Sequence, residues 1–179
     1  MTHTRLILPS QLFVTITHAS TVPMVNSTYL HWNRSLHTIE SIPGIVWSVS
    51  LEPLPPAIYA RAARRSGSQG RNALGLDGRA SGALVVTLLS ATWAEAADDE
   101  RVEAAARDMM AAIESDARVM GAHDPFIYLN YAAPWQDPIA SYGEEAVRRL
   151  QEVRKWVDPT GVFTRQVPGG FKVPMPMEQ

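Results

Sequence analysis

Glu52 follows Ser48 and Ser50 at alternate positions in the stretch "IVWSVSLE". An extended chain therefore presents Val46, Ser48, Ser50 and Glu52 on one face. A carboxylate beside two hydroxyls can act as a general acid or base, the more so when partial burial raises its pKa. Its ordinary alternative is a solvated carboxylate at a strand end beside Pro53. Tyr131 and Tyr142, in the unusual segment "YLNYAAPWQDPIASYGEE", are the other groups that can relay a proton. Tyr142 serves equally well as a core tyrosine. Asn130 can cap a turn while Tyr131 packs.

Much other chemistry is excluded or unsupported. The chain has no cysteine, so a thiol nucleophile, a disulfide, a Cys-ligated zinc and an iron–sulfur cluster are ruled out. The histidines are His3, His18, His31, His37 and His123, and no pair has a metal-ligand spacing on one helix face. No metal is expected. There is no G-x-S-x-G elbow. A net charge of -2 argues against a phosphate-binding surface, so nucleic acid is not an expected partner. The run "ALVVTLLSA" is about half a membrane span, so no membrane association is expected. "LIL" before Pro9 is too short for a secretory leader, which gives a cytoplasmic location as the expectation. The basic run "ARAARRS" reads as a solvated helix end rather than an anion site.

These groups must be positioned by a small set of elements. "QLFVTIT" alternates as a strand. A helix entered at Pro23 carries a stripe of Val25, Tyr29, Trp32, Leu36 and Ile39 and ends at "IPG". A second strand covers residues 45–52 and stops at "PLPP". A short helix is expected over residues 57–65, then a Gly/Ser-rich loop with "NALGL" as its apolar grip. A third strand at 83–92 is apolar almost throughout. A helix capped by Asp98 or Asp99 buries Val102, Ala105, Ala106, Met109 and Ile113. A last helix near 144–156 carries Ala146, Leu150, Val153 and Val157.

This pattern predicts an α+β fold, a small antiparallel sheet with both long helices on one face. Residues 1–123 form the sandwich, and residues 124–179 form an irregular strap and helix packed on or beside it. The sheet's other face is expected to be open. Strand parity assigns Thr15, Thr17, Ser48, Ser50, Glu52, Val85, Thr87 and Leu89 to it. Thr15, Thr17, Ser48, Ser50 and Thr87 are then candidate contacts for a small-molecule substrate. An open face of mixed polarity, with Trp135 and Trp156 in the strap region, also suits a homodimer or another partner chain.

The combination "YLNYAAPWQDPIASYGEEAVRRLQEVRKWVDPTGVFTRQVPGGFKV" resembles the C-terminal signature of berberine bridge enzyme-like, FAD-linked oxidases, particularly fungal ones. The distinctive pieces are Asn130-Tyr131, Tyr142-Gly143, Arg149-Leu150, and Asp158-Pro159 followed by Phe163. "WSVSLEPLPPAI", "NALGLD" and "LLSATW" are similar to that family's substrate domain in the same order. The resemblance covers roughly residues 10–173. It implies an antiparallel substrate domain covering a flavin, with Asn130 and Tyr131 near the ring. It also implies oxidation of a small natural-product alcohol or amine. The family's Gly-rich pyrophosphate loops have no counterpart before Ser10, and "GSQGRNALGLDG" sits in no strand–loop–helix unit. The expectation is a chain that binds FAD weakly or not at all by itself and needs a separate flavin-bearing chain. The alternative is a flavin-free paralogue, a homodimer, that isomerises, dehydrates or cyclises a secondary metabolite by acid/base chemistry.

Overall fold

Three antiparallel strands carry the fold: β1 (Ser10–Ala19), β2 (Val46–Leu54) and β3 (Leu84–Trp93). A two-residue β4 (His123–Asp124) extends the sheet, whose order is β2-β3-β1-β4. The computed structural model describes residues 9–59, 72–76 and 82–175. The expected short helix is helical at 56–59, and its remainder lies outside the described residues with the basic run and most of the Gly/Ser-rich loop.

Helix α1 (Val22–Ile39) starts where Thr21 accepts a hydrogen bond from the Met24 amide, with proline in its first turn. Helix α2 (Asp99–Val119) opens on Asp99 and Glu100, which suit the positive end of its dipole. Both pack on one face of the sheet. There Leu12, Val14, Ile16, Trp47, Leu89 and Ala91 form the main core with Val102, Ala106, Met109 and Ile113. Asp116 ties the helices together, accepting from the Ser27 hydroxyl and sitting 2.9 Å from His31 Nε2. The α+β class and the placement of both long helices agree with the sequence. No described helix is long and apolar enough to cross a membrane.

Four expectations need correction. First, α1 is rotated: Met24, Ser27 and Thr28 are buried, whereas Tyr29 is 56% exposed. Polar Ser27 and Thr28 are drawn inward by polar partners, Asp116 on the other helix and buried His18 on the sheet, a pull that hydrophobic periodicity does not record.

Second, β3 is assigned the wrong parity. The pairing sets Thr15 and Ser50 opposite Leu88, and Thr17 and Glu52 opposite Val86. Val86, Leu88 and Ser90 therefore share the face of Glu52, while Val85, Thr87 and Leu89 lie beneath the helices. Thr87 is fully buried there, 2.9 Å from His18 Nε2. A strand that is apolar throughout has no alternation of its own, so only cross-strand register fixes its faces.

Third, the face opposite the helices is not open along β1. Residues 124–142 cross it, and Thr15 and Thr17 are buried, so neither offers a substrate contact at the surface. Phe126, Ile139 and Tyr142 form a second core with Val86, Leu76 and Tyr59. Ser48 and Ser50, on the edge strand β2, remain exposed.

Fourth, helix α3 (Glu144–Val157) buries Ala146, but Val153 and Val157 are each 55% exposed. Trp156 beside them is 84% exposed. Trp135 instead lies beneath Arg107, whose guanidinium carbon is 3.7 Å from the ring centre.

Candidate functional site

At the boundary between the strap and the exposed part of β2, Glu52 meets Tyr131. Glu52 is half-buried on β2, and Tyr131 ends a 3-10 turn, Leu129–Tyr131. The turn holds Tyr131 between two rings. Phe13 of β1 stands edge-on at 6.2 Å between centroids, and Tyr128 edge-on at 5.0 Å. Asn130 donates from Nδ2 to the Tyr128 hydroxyl at 3.0 Å. The Tyr131 phenol is held above its usual pKa, first by hydrogen bonding to the Glu52 carboxylate and then by that carboxylate's charge. Tyr131 therefore remains a proton donor at neutral pH, and Glu52 is the acceptor beside it.

A cleft of about 220 Å³ opens on the far side of Glu52. Leu54, Leu74, Leu76 and Val86 form its aliphatic walls, and Phe126 and Tyr128 its aromatic ones. The wall at 72–76 is fixed from behind. Asn72 Oδ1 accepts from the Leu74 amide at 2.7 Å, and Arg149 donates to the Asn72 carbonyl at 3.2 Å. Gly75 has φ +67 and lies so near the strap that a Cβ would fall 1.9 Å from the Tyr142 carbonyl oxygen. Only glycine allows both that backbone angle and that approach.

Of the residues that the sequence nominated, Glu52, Asn130 and Tyr131 converge, with exposed Ser48 and Ser50 on the same sheet face. Tyr142 is buried, stacked on Phe126 at 5.9 Å, and burial followed by the charge of Tyr128 pushes its phenol pKa up. It supports the cleft from beneath rather than reaching a ligand. Thr87 is on the opposite face, and Thr15 and Thr17 are under the strap.

Sequence reasoning passed over Tyr128, Phe126 and Gln136. The signal for Tyr128 was the pair of tyrosines three apart in "YLNY". Gln136 gave none. Its Oε1 accepts from the Thr15 amide at 3.2 Å and the Ala133 amide at 3.0 Å, and its Nε2 donates to the Thr15 carbonyl at 2.7 Å. One side chain thus occupies the place of a neighbouring strand along β1.

Among the described residues, no group of three or more acidic or histidine side chains could hold a metal ion. The fit to a dinucleotide is equally poor. A pyrophosphate needs a glycine-rich turn between a strand and a helix. The β1–α1 junction is Ser20-Thr21 and the junction before α2 contains Glu95, Asp98 and Asp99, with no glycine in either. Carboxylates at the second junction would repel phosphate. These residues do not fit FAD as a holder; what they offer is a half-polar surface beside Glu52 and Tyr131.

Comparison with known proteins places this chain beside segments of much longer fungal proteins. It is 45% identical over 161 residues to a protein named oligopeptidase PhomG' from Diaporthe leptostromiformis, which covers 89% of this chain and 13% of that protein. It is 33% identical over 165 residues to the FAD-dependent monooxygenase drtC of Aspergillus calidoustus, covering 90% of this chain and 30% of that one. The FAD-dependent monooxygenase FUP4 of Fusarium proliferatum is 38% identical over 125 residues, 70% of this chain and 23% of its own length. The chain thus spans less than a third of the length of these curated relatives. No protein-family profile matches it, and no solved structure does.

Proposed function

We propose that this chain is the substrate-binding and C-terminal portion of a berberine bridge enzyme-like, FAD-linked oxidoreductase acting on a small natural product. The observation that carries the reading is the meeting of Glu52 of β2 with Tyr131 of the strap beside an apolar cleft lined by Glu52 and by Tyr128, which Asn130 holds. The likeness to segments of FAD-dependent monooxygenases supports it. The flavin belongs to another part of a longer protein or to a separate chain, because the described junctions before the two long helices have no glycine-rich turn.

The roles follow from the geometry. Glu52 takes the proton of a substrate hydroxyl or ammonium. Tyr131, still protonated at neutral pH, donates its one hydroxyl proton to the Glu52 carboxylate and holds that carboxylate in place beside the substrate. Asn130 holds Tyr128, which closes the cleft. Ser48 and Ser50 line the approach on the edge strand. In the flavin-bearing protein that contains this segment, Glu52→Gln keeps size and hydrogen bonding but removes the titrating group. Its expected effect is a loss of about a hundredfold or more in turnover, the scale of a positioned acid or base. Unchanged turnover would assign Glu52 to the surface and overturn the proposal.

One observation favours a second reading, a flavin-free acid/base enzyme. The strap closes much of this chain's own sheet rather than leaving it bare for a second domain. The visible absorbance of the purified, active protein separates the two. A flavin band supports the first reading, and a colourless catalyst of isomerisation, dehydration or cyclisation supports the second.

A further inference from the structure

We infer that the cleft behind Glu52 is a preformed subsite for a flat apolar ring system of about two fused rings carrying one hydroxyl or amine, and that it rejects sugars. The inference rests on the proposed function only in its choice of Glu52 as the group that meets the ligand's polar end.

The lining sets the chemistry. Among the described residues that line it, Glu52 is the one charged residue, Tyr128 supplies the one hydroxyl, and the rest are apolar or aromatic. The Tyr128 oxygen already accepts from Asn130, so its own proton is free to donate inward. A hydroxylated ring can bond Glu52 or Tyr128 and lay its carbon skeleton against Val86, Leu74 and Phe126. A sugar has hydroxyls all round its ring. Most would face aliphatic walls and lose their hydrogen bonds to water without replacement.

Size sets the ring count. An apolar cavity of about 150 Å³ accepts a benzene. The 220 Å³ here takes a larger body, about a two-ring system. Phe126 and Tyr128 stand at 6.5 Å between centroids with 36° between their planes, and together they present aromatic surface to a flat guest.

The site is also held open before any ligand arrives. The 72–76 wall is pinned by Asn72, by Arg149 and by the approach of Gly75 to the Tyr142 carbonyl. Tyr142 is in turn stacked on Phe126. Wall and floor therefore form one packed unit, as ligand pockets usually do. Leu76 is buried in that wall, 3% exposed, and lines the cleft. It is the residue whose size sets the room in the cleft.

The test uses the full chain with 2-naphthol as the apolar probe and methyl β-D-glucopyranoside as the hydroxyl-rich probe. Titration calorimetry should show saturable binding of 2-naphthol and none of the glucoside. NMR should show contacts from the naphthol ring protons to the methyls of Leu76 and Val86. Leu76→Trp should weaken 2-naphthol at least tenfold while leaving the far-ultraviolet circular dichroism unchanged. Failure of 2-naphthol to bind, tighter binding of the glucoside, or contacts confined to other residues would each overturn the inference. Should Leu76→Trp not fold, the ring-to-methyl contacts in the unaltered chain decide alone. The two proposals fail separately. Naphthol binding together with undiminished turnover in Glu52→Gln removes the acid/base role and keeps the subsite. A turnover loss in Glu52→Gln with no naphthol binding does the reverse.

Discussion

Replacing Gln136 by leucine should destabilise the fold far more than its half-buried position suggests. Gln136 makes three hydrogen bonds to backbone, two of them to the amide and carbonyl of Thr15. Thr15 is 1% exposed, and Ala133, the third partner, is fully buried. Leucine has nearly the same volume, so packing changes little. What changes is that buried backbone groups lose their partners, at about 1–3 kcal/mol each. The two groups of Thr15 alone give an expected loss of about 2–6 kcal/mol, against a total stability of about 5–15 kcal/mol for a protein of ordinary stability. Urea denaturation followed by circular dichroism measures the loss, and amide exchange at Thr15 locates it. Gln136→Glu adds a sign test. Its carboxylate faces the Thr15 carbonyl at neutral pH, but its protonated form can donate, so this variant should recover stability as the pH falls. A Gln136→Leu protein within about 0.5 kcal/mol of the original, the scale of an inert surface change, with Thr15 still protected, would refute the strand-surrogate argument.

Four further outcomes are expected. His18 is fully buried, Nδ1 pairs with the Ala19 carbonyl and Nε2 with Thr87, and burial lowers its pKa from the usual 6.5. The unfolded chain then binds the proton more readily than the folded one, so stability present above pH 6.5 is lost as the pH falls from there through the lowered folded value. His18→Asn should flatten that slope in denaturation midpoints taken between pH 8 and pH 5, about the span over which histidine changes charge, and an unaltered slope would assign it to His123, whose pKa is also lowered by burial. Gly75→Ala should lose more than the roughly 1 kcal/mol of an ordinary left-handed alanine, because its methyl meets the Tyr142 carbonyl; a change below that, by thermal denaturation, would mean that the loop relaxes freely. As stated above, Glu52→Gln should slow turnover about a hundredfold, and Leu76→Trp should weaken 2-naphthol at least tenfold.

What the sequence determined by itself was the kind of layer each segment enters. The stripe of Val102, Ala105, Ala106, Met109 and Ile113 repeats with helical period and is buried as that period requires. The alternation of Ser48, Ser50 and Glu52 with Trp47 and Val49 is strong enough to put the carboxylate on the face away from the helices. The residue types in "YLNYAAPW" also marked the strap as something laid against a surface. Three things were left for the tertiary structure. It chose the faces of β3, because a uniformly apolar strand carries no parity and only hydrogen-bonded register supplies it. It turned Ser27 and Thr28 inward, because Asp116 on the other helix and His18 on the sheet meet them there, at a distance in sequence that no local pattern spans. And it decided which surface the strap covers. Tyr128, Phe126 and Tyr142 find Val86 and Leu76 within this chain, and Gln136 finds the unpaired backbone of Thr15, because burying aromatic area and satisfying an exposed strand edge are both long-range gains. The proton pair of Glu52 and Tyr131 exists only as a consequence of that docking.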